Sequence, residues 1–549
     1  MTDYFADTTG GGGPRRGDVQ GPLVTVLMPT FNRRRYLAGA LASALAQTHR
    51  NLEIFVIRDG GEDVADVVRS FGDSRIVFLD RKENRGKPYS LNEALAKAQG
   101  EYVAYLDDDD AWYPEHVETL VRALETQTDC HAAYSDLYRV YCEVRPDHER
   151  VVLSKHVEIS RDFDRFLMLY FNHVLHVSLM HRRDLLDRTG PYSEDLNILI
   201  DWDINRRIAF FSDFHHVLSI TGEFYCPLNH SDRISDVRRK DSEDYLRNML
   251  AIRTKNPPKP WPKMGELSII MALDRLDHEV GRMLMRIWRY TFYPYQLYLP
   301  LSPQDLARLD LQMPNVVCVP VAPQSSVDER VDVALRKAQE RHVAVVPRGI
   351  PVEDMWVEDA VHAILQSRSD REGFLLPGCE SGRWGAVVRR SDLVQARSRY
   401  PHLSIENSLT AFGVRLRSPD PEELPFQFDE LLRQGKLAEA EGDWLLAARL
   451  FEQMSRQYGN ELWMKAMAAR AYFEAGDHTQ ADRLSREVNR LRPAVDTLLL
   501  EAKVRRKQRD FAGAIGLLRQ AEKWLSSPVV PEPLQSQAPR QYEQTRRGV

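Results

Sequence analysis

The sequence contains few cysteines, no long apolar segment and little net charge, and each of these absences excludes a class of protein. Its 5 cysteines among 549 residues stand far apart without C-x-x-C spacing, which is typical of neither a disulfide framework nor a zinc site. No run of about 18 apolar residues is present, so we expect no transmembrane helix. The net charge of −6 offers no general attraction to nucleic acid or to an anionic membrane.

The N-terminal segment 1–20 has no basic start followed by an apolar stretch, so it lacks the pattern of a signal peptide. We expect a flexible tail there and a protein of the reducing cytoplasm. A chain of this length predicts three or four domains.

The first quarter of the chain alternates short apolar runs with segments of helical spacing. The runs PLVTVLMPT, NLEIFVI, RIVFL and EYVAYL predict strands buried on both faces, and SLNEALAKAQG predicts a helix that ends at Gly100. This order predicts an open, Rossmann-like α/β sheet. Ligands bind such sheets at the carboxyl ends of the strands, and three polar loops, PTFN, RDGG and DDDD, directly follow strands.

Four consecutive carboxylates, Asp107–Asp110, follow the fourth strand. They form either a solvated acidic turn or a site where a divalent cation joins carboxylates to an anionic ligand such as a nucleoside diphosphate. In extended backbone Asp107 and Asp109 would point to one side, and Asp108 to the other, within reach of a ribose. The two polar loops upstream favour the second interpretation, in which Mn²⁺ or Mg²⁺ stabilises the charge of a departing diphosphate.

Together, PLVTVLMPTFNRRRYLAGALASALAQT, VIRDGG and NRGKPYSLNEALAKAQGEYVAYLDDDDAW resemble the family-2 glycosyltransferases of the GT-A fold, through about residue 235. HVSLMHRRDLL is similar to the acceptor-side segment of the spore-coat polysaccharide glycosyltransferase type within that family. The resemblance implies transfer of a sugar from a nucleotide diphosphate donor with inversion at the anomeric carbon. One position departs from the pattern, because Arg58 stands where the family usually has the first of two acidic residues.

The resemblance also implies which residues bind the nucleotide-sugar. The PTFN loop cradles the base, and Asp59 accepts a hydrogen bond from a uracil-type imide, which predicts a UDP- or dTDP-sugar. Basic side chains of NRGK face the diphosphate, unless this segment is a solvated basic loop. The implied nucleotide-binding residues are Pro29, Thr30, Phe31, Asn32, Asp59, Arg85, Lys87, Asp107 and Asp108. The implied metal ligands are Asp107, Asp109 and His230, the last in an H-x-x-S-type loop where an incidental surface histidine is the alternative.

Inversion in one displacement needs a general base on the acceptor side. The family carries this base ahead of a helix, and in NILIDWDINRRIAF the matching residue is Asp201, with Ile200 replacing the usual first acid. Asp203 is the nearby alternative, and Asp201 has the alternative role of capping the helix.

Four segments of the region 265–420 repeat the first domain in the same order. ALRKAQERHVAVVPRG follows ALAKAQGEYVAYLDDD by 240 residues, LSIIMALDR echoes VTVLMPTFNR, YTFYPYQLYLP echoes QTHRNLEIFVI, and AVVRRSDL echoes SLMHRRDL. These echoes predict a duplicated GT-A-like domain, with unrelated α/β patterning as the alternative. Pro347, Arg348 and Gly349 replace the carboxylates, so we expect this copy to be degenerate and non-catalytic.

From about residue 426 the sequence predicts only helices. Asp443, Asp477 and Asp510 recur at intervals of 34 and 33 residues, each followed by an alanine at a fixed place, which resembles tetratricopeptide repeats. Such repeats bind a protein partner or serve as a packing module.

We therefore predict a flexible tail at 1–20, a GT-A domain at 21–262, a degenerate GT-A-like domain at 263–422, helical repeats at 423–527 and a disordered tail at 528–549. The predicted activity is metal-dependent inverting transfer from a UDP- or dTDP-sugar to a protein, glycan or lipid-linked acceptor, by an enzyme that is cytoplasmic and peripheral to a glycan-assembly complex. The alternative is a catalytically silent scaffold in such a complex.

Overall fold

The computed structural model describes residues 21–146, 149–157, 159–229, 242–309, 315–379, 384–421, 424–458 and 461–526. Both predicted tails and His230 lie outside the described residues. Among those described, none of the helices combines the length and the apolar composition needed to span a bilayer.

The first domain contains one mixed sheet with the strand order β3-β2-β1-β4-β8-β6-β9-β5, in which β7 also pairs with β6. The strands are β1 (Val24–Thr30), β2 (Leu52–Asp59), β3 (Ile76–Arg81), β4 (Tyr102–Tyr105), β5 (Ala111–Trp112), β6 (Cys130–Val144), β7 (Arg150–His156), β8 (Leu179–Arg182) and β9 (Asp213–Pro227). Strands β3, β2, β1 and β4 are parallel to one another, whereas β4 pairs with β8 antiparallel. Their side chains are apolar on both faces because helices cover both sides of this half of the sheet.

Helices connect these strands. They are α1 (Arg34–Leu45), α2 (Ala65–Ser70), α3 (Lys87–Leu95), α4 (His116–Thr126), α5 (Arg165–Tyr170), α6 (Leu185–Thr189), α7 (Ile200–Ile208) and α8 (Ser242–Thr254), with a 3-10 turn at His176–Ser178. Helix α3 begins three residues before the predicted Ser90 and ends before Gly100. Its earlier start places Lys87 in the first turn, beside the strand ends.

The second sheet repeats the topology of the first. Its order is β12-β11-β10-β13-β15-β14-β16, and each neighbouring pair has the same relative direction as its counterpart in the first sheet. The strands are β10 (Leu267–Ala272), β11 (Tyr295–Leu301), β12 (Val316–Pro320), β13 (His342–Pro347), β14 (Glu372–Leu375), β15 (Ala386–Arg389) and β16 (Arg415–Arg417). The helices are α9 (His278–Tyr290), α10 (Pro303–Ala307), α11 (Val327–Lys337), α12 (Glu358–Gln366), α13 (Arg390–Arg399) and α14 (Ile405–Phe412).

The strand registers agree with three of the four sequence echoes. The equivalent pairs are Val24 with Leu52 and Tyr102, and Leu267 with Tyr295 and His342. In the fourth echo the registers make Arg389 equivalent to Arg182, which is one residue away from the sequence alignment. A one-residue shift exchanges the two faces of a strand, so the register gives the better correspondence.

The two sheets share a hydrophobic core that extends from Leu27 to Val387. Aromatic side chains of α5 form the contact, with the ring of Phe166 centred 5.5 Å from Tyr293 and that of Tyr170 5.1 Å from Phe292. The second domain therefore packs directly against the first.

The C-terminal region contains six consecutive helices that pack on one another. They are α15 (Gln427–Glu441), α16 (Trp444–Gln457), α17 (Glu461–Glu474), α18 (His478–Leu491), α19 (Val495–Lys507) and α20 (Phe511–Ser526). The recurring Asp443 and Asp477 are N-caps whose carboxylates accept from backbone N–H groups of the following turn, and Asp510 does the same for Gly513. The spacing of 34 and 33 residues between these aspartates therefore corresponds to the repeated start of a helix. The likeness to tetratricopeptide repeats stays a prediction.

The helical region docks on the first domain through buried polar contacts. Arg492 forms an ion pair with Asp136 and donates to Ser160 at 2.9 Å. Lys155 donates to the carbonyl oxygen of Trp524 at 3.2 Å, which holds the end of α20.

Candidate active site

Three polar loops meet at one edge of the first sheet, at the carboxyl ends of β1, β2 and β4. The loops of β1 and β2 are joined at Asn32, whose backbone is left-handed with φ 56° and whose side-chain oxygen accepts from the amide of Glu62 at 3.0 Å. A Cβ on Gly61 would stand 2.2 Å from that oxygen, so glycine is required there. Phe31 beside them is 44% exposed and presents its ring at this edge.

Arg58, which departs from the family pattern, holds the loop after β2 in shape. Its guanidinium donates to the carbonyl oxygen of Gly61 at 2.5 Å and to Asp80 at 3.0 Å. A side chain with several donors can bridge carbonyl oxygens that an acid would repel. The replacement therefore has a structural explanation within this chain.

Asp59 organises the loop that carries Arg85 and Lys87. Its carboxylate accepts from the amides of Arg85 at 2.9 Å and Gly86 at 2.8 Å and from Arg81 at 2.7 Å. A carboxylate has about four acceptor positions, and these three contacts occupy three of them. Arg85 is exposed and stacks on Tyr89 with its guanidinium 3.5 Å from the ring centre.

Lys87 links the acidic loop to the residue predicted to be the base. Its ammonium donates to Asp107 at 2.5 Å. Burial by itself would lower the pKa of Lys87, but the charges of Asp107, Asp201 and Asp108 outweigh it and raise that pKa. Burial likewise opposes the ionisation of Asp107, yet Lys87 prevails and lowers the pKa of Asp107 to about 2. An ionised carboxylate and an ammonium group thus lie side by side at the strand ends.

The acidic residues do not alternate as the sequence predicted. Strand β4 ends at Tyr105, and the amide of Asp110 donates to the carbonyl oxygen of Asp107 at 3.2 Å, so these residues form a turn. Asp109 consequently lies beside Asp108, and both face Arg33, while Asp107 faces Lys87. The expected pairing of Asp107 and Asp109 on one side of an extended strand is wrong, because a turn has no two-residue period.

The acidic turn has four carboxylates, and three cationic side chains pair with them, Arg33, Lys87 and Arg150. Burial and then the charge of Asp109 raise the pKa of Asp108 to about 7, against the attraction of Arg33. One carboxylate oxygen of Asp108 is buried and has no hydrogen-bond partner in the described structure. No three His, Cys, Asp or Glu residues among those described converge as a complete metal site. Hard carboxylate oxygens with an unmet charge fit an incomplete Mn²⁺ or Mg²⁺ site whose other ligands come from a substrate.

Asp201 and Asp203 occupy the first turn of α7 but have different surroundings. Asp203 is buried, pairs with Arg207 at 2.6 Å and accepts from Ser193 at 2.8 Å. Asp201 accepts from the Asn172 amide at 2.8 Å and faces Lys87. Burial raises the pKa of Asp201, against the attraction of Lys87. Asp203 therefore belongs to the packing of α7, and Asp201 faces the site.

Three residues near the site were missed in the sequence. Arg33 pairs with Asp109, Asn172 contacts Asp201, and His176 stacks on Tyr105 with ring centres 3.9 Å apart. Burial, followed by the charge of Lys87, lowers the pKa of His176 to about 3, so its ring is neutral. Arg33 directly follows the PTFN loop and could have been found from its position. Asn172 follows α5, and His176 begins the 3-10 turn, and neither belongs to a periodic pattern.

The second sheet has the opposite charge at the equivalent edge. Arg348 stands in the place of Asp108 and pairs with Asp277, the N-cap of α9, and with Glu279. In the first domain the cation, Arg33, stands at the N-cap of α1 and the acids lie in the loop. The second domain thus has a guanidinium group where the first has the carboxylate of Asp108.

Residues 25–182 match the family model described as Glycosyl transferase family 2. An uncharacterized glycosyltransferase of Rickettsia typhi is 38% identical over 190 residues, which are 33% of this chain and 57% of that protein. WcaA of Escherichia coli, named as a glycosyl transferase, is 25% identical over 238 residues, which are 40% of this chain and 85% of that protein. Among solved structures, TarS 1-349 of S. aureus with UDP is similar at a TM-score of 0.34 and 17% identity, over 42% of this chain and 64% of that one. The chain spans less than two thirds of the length of several curated relatives, at 58%, 27% and 57%.

Proposed function

We propose that this chain, whose first α/β domain is a family-2 glycosyltransferase domain, moves a sugar from a UDP- or dTDP-sugar to a hydroxyl acceptor with inversion at the anomeric carbon. The observation that carries the proposal is the position of Lys87 between Asp107 and Asp201, at the strand edge where sheets of this kind bind nucleotides. The charges of Asp107, in the proposed donor-binding loop, and of Asp201, the proposed base, both act on this one cation, which supports the proposal.

Asp201 is the proposed general base. Its carboxylate takes the proton of the acceptor hydroxyl as that oxygen forms a bond to the anomeric carbon, and the bond from that carbon to the diphosphate oxygen breaks on the opposite face. Burial favours proton uptake by Asp201, because it raises the pKa towards the working pH. Asn172, which donates to one oxygen of the carboxylate, orients the other oxygen towards the acceptor.

The donor is proposed to bind along the edge from β2 to β4. The exposed ring of Phe31 and the buried Thr30 form the base-binding loop, together with Pro29 and Asn32. The remaining acceptor position of Asp59 suits an imide N–H, and Arg85 and Lys87 suit a diphosphate. Asp108 is the proposed contact to the ribose.

Asp107 and Asp109 are the proposed protein ligands of a Mn²⁺ or Mg²⁺ ion, and His230 is a third. When bound, the ion would neutralise negative charge on the leaving diphosphate. The excess of acid over base around Asp108 supports this assignment. Arg33 forms an ion pair with Asp109.

Nucleotide release tests the proposal directly. The full chain is incubated with a panel of UDP- and dTDP-sugars and Mn²⁺, and free UDP or dTDP is measured. We expect slow release from at least one donor, loss of that release in Asp109→Ala, and no change in Asp129→Ala, which alters an exposed acid of the same domain. Absence of release with every donor, with Asp109→Ala behaving as the wild type, would instead establish the silent scaffold.

The remaining domains are proposed to serve the acceptor side. The second domain is proposed to be non-catalytic, because Pro347 and Gly349 stand in the places of the proposed metal ligands Asp107 and Asp109. The helical region is proposed to bind a protein, either the acceptor or a partner in a cytoplasmic glycan-assembly complex, since Phe511, Ile515 and Leu518 form an exposed apolar stripe on α20.

A further inference from the structure

Strand β7 contacts both the acidic turn and the helical region. Its first residue, Arg150, donates to the backbone carbonyl oxygen of Asp109 at 2.6 Å. Near its other end, Lys155 donates to the carbonyl oxygen of Trp524, in the last turn of α20, at 3.2 Å. Carbonyl oxygens in the last turn of a helix have no partner within that helix, so the ammonium group caps α20. One strand therefore joins a proposed metal ligand to the end of the helical region.

A β-bulge at Leu153 directs Arg150 and Lys155 to the same face of β7. In a regular strand, two residues an odd number of positions apart point to opposite faces. The register pairs Arg150 with Val144 of β6 and Lys155 with Val140, and it skips Leu153 between them. The extra residue of a bulge restores the same face to two residues that would otherwise be opposed. Both side chains therefore reach residues of β9 on one side of the sheet.

Glu223 of β9 connects the two ends of β7. It is 1% exposed and accepts from Lys155 at 2.5 Å and from the hydroxyl of Tyr225 at 2.6 Å. The ring of Tyr225 lies 4.4 Å from the guanidinium of Arg150, and its backbone amide donates to Asp110 at 3.0 Å. A continuous chain of contacts thus leads from the end of α20 to the acidic turn.

Two aromatic rings fix the guanidinium of Arg150. Besides Tyr225, the ring of Tyr36 in α1 lies 3.8 Å from it, and a planar guanidinium that stacks on aromatic rings loses little further freedom when it donates a hydrogen bond. Its contact with the carboxylate of Asp109 is longer, at 4.0 Å, than its bond to the carbonyl oxygen of the same residue. Arg150 therefore acts mainly on the backbone of the turn and fixes the place of Asp109.

We infer that Arg150 positions the acidic turn for its cation, and that the end of α20 keeps Arg150 in place through this chain of contacts. The inference rests on the proposed function, in which the turn belongs to a metal–nucleotide site. Arg150 is a positioning residue, because it contacts the backbone of the turn. The helical region is consequently a part of the glycosyltransferase site, and a change in the docking of α20 changes the affinity for the metal and nucleotide.

Binding of Mn²⁺ to the full chain tests the inference, with UDP or dTDP present and free Mn²⁺ measured by electron paramagnetic resonance. Arg150→Met removes a positive charge near the turn, which by itself would strengthen the binding of a cation. We expect the opposite, a rise of about tenfold in the Kd for Mn²⁺, because loss of a residue that supports a metal ligand lowers metal affinity by about 10–100-fold. Tyr225→Phe keeps the ring but loses the bond to Glu223, and should raise the Kd by a smaller factor. Arg145→Met, at an exposed arginine between β6 and β7, is the matched control and should leave the Kd unchanged.

A second measurement uses the wild type alone. If α20 supports the binding of metal and nucleotide, that binding must stabilise the end of α20 by the same free energy. Addition of Mn²⁺ and nucleotide should therefore slow amide hydrogen exchange in β7 and in the last turn of α20. Exchange in α16, which packs on other helices of the helical region, should not change.

The outcomes separate this inference from the proposed function. An unchanged or lower Kd in Arg150→Met, an unchanged Kd in Tyr225→Phe, or unchanged exchange in α20 would each overturn the inference, while Mn²⁺ binding by the wild type preserves the proposed function. A thermal melt identifies any variant that does not fold, in which case the exchange measurement on the wild type decides. Failure of the wild type to bind Mn²⁺ with either nucleotide would overturn the proposed metal-dependent function itself.

Discussion

Asp201 and Asp203, two aspartates separated by one residue on α7, should have different effects on the protein when each is replaced by asparagine. Asp201 faces the site and contacts Asn172, whereas Asp203 is 1% exposed and pairs with Arg207. We expect Asp201→Asn to lose catalysis and keep the fold, and Asp203→Asn to lose stability. Sequence position cannot separate these roles, so the contrast tests the geometry of α7.

The two expected losses are similar in energy. Loss of a general base lowers the rate by about 10²–10⁴-fold, or roughly 3–5 kcal/mol of barrier. Removing one partner of a buried ion pair costs about 3–5 kcal/mol of stability, and asparagine at 203 retains an acceptor for Ser193, which favours the lower end. At about 2–4 °C per kcal/mol for a domain of this size, the melting temperature of Asp203→Asn should fall by roughly 6–20 °C.

Asp201→Asn should melt at or above the wild-type temperature at pH 8. Because burial raises the pKa of Asp201, its ionised form destabilises the fold, and the stability available below the unfolded pKa is lost as the pH rises through the folded pKa. Asparagine at 201 carries no charge, so the variant does not lose this stability at high pH. In the wild type, activity should fall as the pH decreases through the same raised pKa, since the base must be ionised.

Nucleotide release with the best acceptor and a thermal melt are measured on both variants and on Asp187→Asn, an exposed acid of α6. A stable Asp203→Asn that has lost activity, beside an active Asp201→Asn, would refute the assignment and transfer the role of base to Asp203.

Three further variants test other contacts. Asn172→Asp places a second carboxylate beside the proposed base at nearly constant shape, so the acid limb of the pH–rate profile should move to higher pH; an unmoved limb would contradict the contact. Burial raises the pKa of Glu358 from 4.5 to about 7, so protonated Glu358 contributes to the free energy of unfolding below pH 4.5. That contribution is lost as the pH rises to 7, and at 1.36 kcal/mol per pH unit the loss is about 3 kcal/mol. Glu358→Gln should therefore melt higher than the wild type at pH 8.5 but not at pH 5, and the exposed Glu353→Gln should show no such difference between the two pH values. Arg492→Met leaves a buried carboxylate of the first domain without its cation, at about 3–5 kcal/mol, so the helical region should become sensitive to limited proteolysis, while the exposed Arg490→Met on the same helix should resist it; equal resistance would contradict the docking contact.

Much of the fold and part of the candidate site could be predicted because they depend on local patterns. Short apolar runs separated by helical spacing predict parallel strands, and the ends of such strands meet at one edge whatever the rest of the chain does. The two polar loops that precede Asp107 in the sequence, PTFN and RDGG, therefore lie beside it as expected. The repeated sheet topology was visible for the same reason, since equal spacing along two segments produces equal strand registers.

The charge pairs within the site could not be predicted in this way. Lys87 reaches Asp107 only because α3 begins earlier than its apolar spacing indicates. The acidic residues form a turn rather than an extended strand end, which changes the direction of each carboxylate. Neither feature has a periodic signal, because both depend on where one helix or one strand stops.

The sequence by itself determined the order of strands and helices, the edge at which the polar loops meet, and the repeated starts of the C-terminal helices. Only the tertiary structure decided which carboxylate of α7 faces the candidate site, which cation pairs with each carboxylate, and how the helical region joins the first domain. The physical reason is distance along the chain: Arg492 and Asp136 are 356 residues apart, and contacts between long side chains over such separations depend on the packing of whole domains, which no local pattern encodes.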